Sequence, residues 1–269
     1  MRFRALAALP VAWVAAFLLG VAVVPASASI AYVRAEIEAA KLLTLAGCVI
    51  AARAFSPGDY LRRAWGLLAT CFALLLARDL IYFGVLRGGV VSGPHFEYLQ
   101  AAIVTAANLI GLVGNFMIAR AWYVAGIELP GRPLQRAAVM ALWVVVSSAI
   151  TGNTALADAR LVAAGEVGAL VGLASDLSDL LSMWIVTPVL FTALALRGGL
   201  LRWPWAMLTA SLLFWLFYDA GPMLIGLLGL SVDQGRVLRE SFRGAACLYG
   251  FSAGVAQALA LRAGPRARR

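Results

Sequence analysis

The stretch WGLLATCFALLLARD, residues 65–79, is matched in outline by WAMLTASLLFWLFYD, residues 205–219. Each begins on a tryptophan, runs through apolar residues and reaches an acid fourteen residues later, Asp79 or Asp219. Each follows an arginine-bearing loop, with Arg62 and Arg63 before the first and Arg202 before the second. Apolar runs of this length are membrane-crossing helices, and an acid inside one is costly enough to mark a functional site by default. A second copy of that acid, four spans further along, predicts two related halves around a shared polar site.

Composition sets the class. Hydrophobic residues make up 63% of the 269-residue chain and charged residues 13%, with a mean hydropathy of +0.90. A soluble domain carries about twice that charge fraction. Eight apolar stretches recur from end to end, at about 5–27, 35–55, 61–86, 97–125, 134–152, 165–196, 203–229 and 237–262. No polar stretch is long enough for a second, soluble domain. The runs are too continuous for the alternating pattern of a membrane β-barrel. The expectation is an all-α integral membrane protein with eight transmembrane helices in the lipid bilayer.

The net charge of +9 does not point to nucleic acid, because the bases are spread over alternate loops instead of one face. Taking the N-terminus as cytoplasmic, one side holds Arg2, Arg4, Arg53, Arg62, Arg63, Arg120, Arg132, Arg136, Arg197, Arg202 and Arg262, with Arg266, Arg268 and Arg269 in the tail. That is fourteen of the 22 Lys and Arg residues, against only Asp59 and Glu128. The other side holds Glu36, Glu38, Glu97, Asp158, Glu166, Asp233 and Glu240. This asymmetry is the positive-inside rule, and it predicts an inner (plasma) membrane protein of bacterial type with both termini cytoplasmic.

The N-terminus has two readings. Met1–Arg4 is a positive n-region, and Pro25-Ala26-Ser27-Ala28-Ser29 contains an A-x-A-like site, as in a cleaved signal peptide. The apolar run from Ala5 to Val24 exceeds the usual h-region of about 7–15 residues, which favours a retained helix. Cleavage would leave seven spans.

Other motifs exclude chemistry. Cys48, Cys71 and Cys247 lie inside spans without CxxC spacing, so neither a disulfide framework nor a zinc site is expected. One histidine, His95, cannot build a bis-His haem or a histidine metal cluster. The single lysine, Lys41, is not in a late helix as a retinal Schiff base requires. No cofactor and no metal are expected. Gly250-Phe251-Ser252-Ala253-Gly254 matches the nucleophile-elbow string but sits within a helix. It reads better as a small-residue packing face.

The duplication extends along the chain. Arg4 through Gly20 aligns with Arg136 through Gly152, and Ala106-Ala107-Asn108-Leu109-Ile110-Gly111 with Ala245-Ala246-Cys247-Leu248-Tyr249-Gly250. Leu68 matches Leu208, and Leu76 matches Leu216. Four spans per half leave both halves in the same orientation, so the pattern predicts a 4+4 parallel tandem repeat about an axis along the membrane normal. The divisions are residues 1–126, a linker at 127–133, residues 134–262 and a basic tail at 263–269.

Polar residues within the spans form stripes. Ser175, Asp176, Ser178, Asp179 and Ser182 fall largely on one helical face, as do Gln100, Asn108, Gly111 and Asn115, and Arg236, Arg239, Glu240 and Arg243. In lipid such faces must turn into the bundle. At 1.5 Å per residue, Asp79 and Asp219 lie roughly 24–27 Å from the cytoplasmic ends of their helices. On the same rise Asp176 and Asp179 lie about 15–20 Å in from the outer end, and Arg243 about 10 Å. The candidate site is therefore Asp79, Asp176, Asp179 and Asp219 with Lys41, Arg78, Arg243 and Asn108. One alternative is a purely structural set of ion pairs, such as Asp176 or Asp179 with Arg243. Pro188 and Gly221-Pro222 are expected to break their helices.

Three classes of function fit. A transporter of a small polar solute or ion, proton-coupled through the buried acids, fits the tandem halves best. A membrane receptor fits an outward crevice and would need a separate signalling partner or a second copy of itself. An integral-membrane enzyme comes third, because Asp176 and Asp179 form only a weak DxxD motif with no nucleophile–base pair.

Overall fold

The computed structural model describes residues 2–83, 94–166 and 168–263, with the side chains of residues 26, 82, 83, 94 and 97 excepted. Among the described residues ten helices run in order: α1 (Arg2–Val23), α2 (Ala26–Arg53), α3 (Tyr60–Phe83), α4 (Pro94–Val124), α5 (Pro133–Ala163), α6 (Ala169–Trp184), α7 (Val186–Ala195), α8 (Arg202–Asp219), α9 (Gly221–Leu228) and α10 (Val232–Ala263). The expected tail residues 264–269 and the loop 84–93 fall outside the described residues.

Two breaks divide spans that the sequence presents as continuous. Pro188 lacks the N–H that would bond the Trp184 carbonyl and its ring crowds that turn, so the helix is interrupted at Ile185 between α6 and α7. Pro222 does the same to the Tyr218 carbonyl, and α8 and α9 meet at Ala220 with a bend of 57°. Gly229, at φ +62°, closes α9 in the left-handed conformation that a side chain would strain.

Among the described residues six helices are long and apolar enough to cross a membrane, or seven if α8 and α9 form one bent span. That is fewer than the eight spans expected from the sequence. The stretch that does not qualify is α2, where Arg34, Glu36, Glu38, Lys41 and Arg53 dilute the apolar run. The 134–152 stretch is also longer than expected, since α5 continues to Ala163. The outer surface of the bundle is apolar, with Val11, Leu80, Leu142 and Leu227 each more than 60% exposed. Such a surface belongs in lipid, and the chain is a multi-pass membrane protein.

Six helical units close into a ring in which each packs on the next: α2, α3, α4, the α6–α7 pair, α8 and α10, which returns to α2. α1 lies outside against α10, and α5 lies outside against α6. A Cβ on Gly244 would fall 1.9 Å from the Trp13 ring, so that glycine is the seat of α1 on α10. Trp13, Phe17 and Tyr32 stack from there with centroid spacings of 5.3 and 6.1 Å. The GxSxG string is a packing face. A Cβ on Gly254 would lie 2.2 Å from the Gly47 carbonyl oxygen, and one on Gly47 would lie 2.7 Å from Phe251 Cα.

Hydrogen bonds tie neighbouring helices of the ring. Thr44 of α2 donates to the Cys247 carbonyl of α10 at 2.8 Å. Ser178 of α6 donates to the Asn108 carbonyl of α4 at 3.1 Å. A Cβ on Gly111 would meet Cys71, and one on Gly250 would meet Thr44 first and Ser211 beyond it. The two phrases quoted at the outset meet in one core: Trp65 and Trp205 are buried together with Leu68, Leu208, Met183, Ala253 and Ala256. Three cysteines, Cys48, Cys71 and Cys247, are buried as free thiols.

Candidate functional site

The ring encloses a cavity of about 360 Å³. Seven of the eight residues singled out in the sequence line it: Lys41, Arg78, Asn108, Asp176, Asp179, Asp219 and Arg243. The helix breaks help to shape it, since Pro222 and Asp219 flank the α8–α9 bend and both stand in its wall. Its floor, toward the arginine-rich loops, is Trp65, Leu68, Met183, Leu208 and Leu212, which all belong to the tryptophan core. Toward the opposite end it shares Lys41, Arg78, Tyr218, Arg239 and Arg243 with a second, wider cavity of about 800 Å³.

Asp79, the eighth residue, does not face the central cavity. It is 3% exposed and is held between two cations. Lys41 donates to its Oδ2, and Arg78 Nε lies 3.0 Å from its Oδ1. Lys41 also reaches Glu38 one turn away at 2.8 Å. Asp79 therefore serves as the counter-ion of a buried lysine between α2 and α3, a different duty from that of Asp219.

Arg243 is also committed. Its Nε donates to Glu240 Oε2 at 2.7 Å and its terminal nitrogen to Glu240 Oε1. Among the described residues it has no ion pair with Asp176 or Asp179, which overturns that alternative pairing. The i,i+3 spacing on α10 made the local pair cheaper than one that spans the bundle. Arg243 also sits over the Tyr218 ring at 5.0 Å, with Arg239 over the same ring at 4.6 Å.

The stripe on α6 divides its work. Ser175 accepts a hydrogen bond from Asn108 Nδ2 at 3.2 Å, and Ser182 accepts from Asn115 at 3.3 Å, while Ser178 bonds the Asn108 carbonyl. The hydroxyls thus fasten α6 to α4. Asp176 and Asp179 stand beside them in the cavity wall, within electrostatic reach of Asp219 across the gap. Asp219 Oδ2 is buried and has no hydrogen-bond partner. Arg239 Nε is likewise buried without an acceptor, and Arg239 has no carboxylate partner among the described residues.

The sequence places Arg239 on the inward stripe of α10, whereas Tyr218 and Glu38 were not recognised there as members of the site. In the sequence Glu38 counts only among the acids of the side opposite the arginine-rich loops, although its i,i+3 spacing to Lys41 is itself a sign of a shared helix face. Tyr218 adjoins Asp219 as Arg78 adjoins Asp79, so the aligned phrases did point to it. His95 is an exposed residue in the first turn of α4, away from the cavity. No family model, curated protein or solved structure matches the chain.

Proposed function

We propose that this protein binds a small polar solute or ion in the crevice and carries it across an inner membrane of bacterial type as a proton-coupled transporter. The observation that carries this reading is the trio Asp176, Asp179 and Asp219 around an internal cavity, with Asp219 Oδ2 buried and unpartnered. A carboxylate kept in that state is expensive in lipid, by about 2.5–3.5 kcal/mol on insertion scales, and stability alone does not account for it.

Two further elements belong to the proposal. α2 is read as an eighth span, because it packs between α3 and α10 in the ring and its charges Glu38 and Lys41 turn toward α3 or each other. Residues 1–126 and 134–262 are read as parallel repeats, joined by the linker 127–133 and followed by the tail 263–269. Support comes from the ring order, in which α2, α3 and α4 are followed by α6–α7, α8 and α10. The corresponding bonds Thr44 to Cys247 and Ser178 to Asn108 support it as well. With the arginine-rich loops cytoplasmic, both termini lie there and the crevice faces outward.

A second reading, a receptor acting through a signalling partner or a second copy, is favoured by the tryptophan floor. A floor that never opens makes the crevice a sensing pocket. Cysteine accessibility separates the two. Leu208→Cys, in a background with Cys48, Cys71 and Cys247 replaced by alanine, lies in the floor. In a transporter, an impermeant thiol reagent labels it from the arginine-rich side in part of the population. Absence of labelling from that side under every ionic and pH condition overturns transport and leaves the receptor.

A further inference from the structure

The charges on the crevice wall identify the class of ligand, and this inference rests on the crevice being a binding site. Lys41, Arg78 and Arg243 are matched by three acids already in contact with them, Glu38, Asp79 and Glu240. Those six groups cancel. What remains on the central wall is Asp176, Asp179 and Asp219 against Arg239, three acids and one cation, an excess of two negative charges when all are ionised. Two uncompensated charges in a protein interior are costly unless the acids take up protons or a cation enters; a ligand cation and the protons of a coupled cycle would compete for the same carboxylates.

A bare divalent ion does not suit this arrangement. Among the described residues no three His, Cys, Asp or Glu side chains converge closely enough to hold a metal ion. The three carboxylates are set around the cavity, not on one point, so the compensating charge must be spread over several ångströms. Carboxylate oxygens only accept hydrogen bonds, which calls for N–H donors on the ligand. The cavity wall also carries the aromatic side chains Phe72, Trp215 and Tyr218, and ring faces attract a delocalised cation, as Tyr218 already does with Arg239 and Arg243. A volume of about 360 Å³ holds roughly a dozen water-sized units at ~30 Å³ each, enough for a short chain with a charged group at either end.

We propose that the crevice binds a small organic dication of the diamine or guanidino-amine class. Asp179 and Asp219 receive its nitrogens, and Asp176 supplies the third acceptor nearer α5. Arg239, over the Tyr218 ring where the two cavities join, stands at the mouth and offsets part of the acids' charge without bonding to them. Its guanidinium and the ligand are competitors, so removing Arg239 strengthens binding of a cation. An anionic or zwitterionic ligand would show the reverse, because Arg239 would then be its anchor.

The test uses the full chain purified in nanodiscs, with agmatine and 1,4-diaminobutane as probes and succinate and inorganic phosphate as opposite-charge probes. Thermal stabilisation and the fluorescence of Trp215 against a Trp215→Phe control report binding. The expected result is saturable stabilisation by agmatine or the diamine, weakened about tenfold by Asp219→Asn, the loss of one charge-assisted hydrogen bond. Arg239→Gln tightens it by a similar factor. If Asp219→Asn does not fold, Asp179→Asn takes its place with the same expectation. Saturable binding of succinate or phosphate that is lost in Arg239→Gln overturns the cation class and leaves the crevice as a binding site. No stabilisation by any probe of either sign overturns both the cation class and the binding reading. Amine binding that is unchanged in both carboxylate variants overturns the assignment of the site.

Discussion

Replacing Asp79 by asparagine should damage the fold, whereas the aligned change at Asp219 should not. The Asp79 carboxylate is buried at 3% exposure, and the Lys41 side chain that donates to it is 6% exposed. Loss of the acid leaves Lys41 with only Glu38, itself 29% exposed, and leaves Arg78 without its counter-ion. Breaking a buried pair by removing one partner costs about 3–5 kcal/mol. Glu38 retains part of the compensation, which places Asp79→Asn near the lower limit, about 3 kcal/mol. At about 2–4 °C per kcal/mol for a chain of this size, Tm falls by roughly 6–12 °C. Thermal unfolding of the full chain in nanodiscs measures it. The double variant Lys41→Met, Asp79→Leu should recover most of the loss, because an apolar pair of similar volume replaces a buried ion pair at little cost. Asp219→Asn removes a carboxylate whose Oδ2 has no partner to lose; it should leave Tm unchanged or raise it. A Tm shift of less than about 3 °C for Asp79→Asn, or a double variant no more stable than Asp79→Asn alone, would refute a buried ion-pair role for Asp79.

Gly254→Leu should destabilise the α2–α10 contact by more than the about 1–3 kcal/mol typical of overpacking, because its Cβ meets the Gly47 backbone and no side chain there can yield; Gly152→Ala, with nothing within 4 Å, should be neutral or stabilising in the same melting assay. Thr44→Val and Ser178→Ala each delete one interhelical bond, so each should cost about 0.6 kcal/mol, and a loss several times larger at one position alone would argue against equivalent roles in two repeats. Reporter fusions after Arg269 and in the 125–132 loop should both be active only in the cytoplasm, and periplasmic activity of either would reverse the orientation.

Much of this architecture is legible in the sequence because lipid leaves few options. A run of twenty apolar residues can satisfy its backbone only as a helix, so the spans and their alternating arginine loops follow from composition. The same constraint turned Asp176, Asp179 and Asp219 inward, and the structure places all three in one cavity. Pro188 and Pro222 marked the breaks in α6–α7 and α8–α9, since a missing N–H has the same effect in any surroundings.

The tertiary structure alone decided the partners. Helical periodicity shows which residues share a face, but neither which neighbour that face meets nor the axial register between two helices. That is why Asp79 and Asp219, identical in phrase and depth, diverge. Asp79 meets a lysine because α2 presents Lys41 at that level, whereas at Asp219 the neighbouring α6 presents serines and further aspartates. Likewise Arg243 stood within reach of several acids on paper, and the nearest one on its own helix, Glu240, holds it. An apolar period fixes a helix and its inward face locally. The charge balance of a cavity depends on the rotation and register of six ring elements at once, a sum of weak packing terms that appears in no single stretch of the chain.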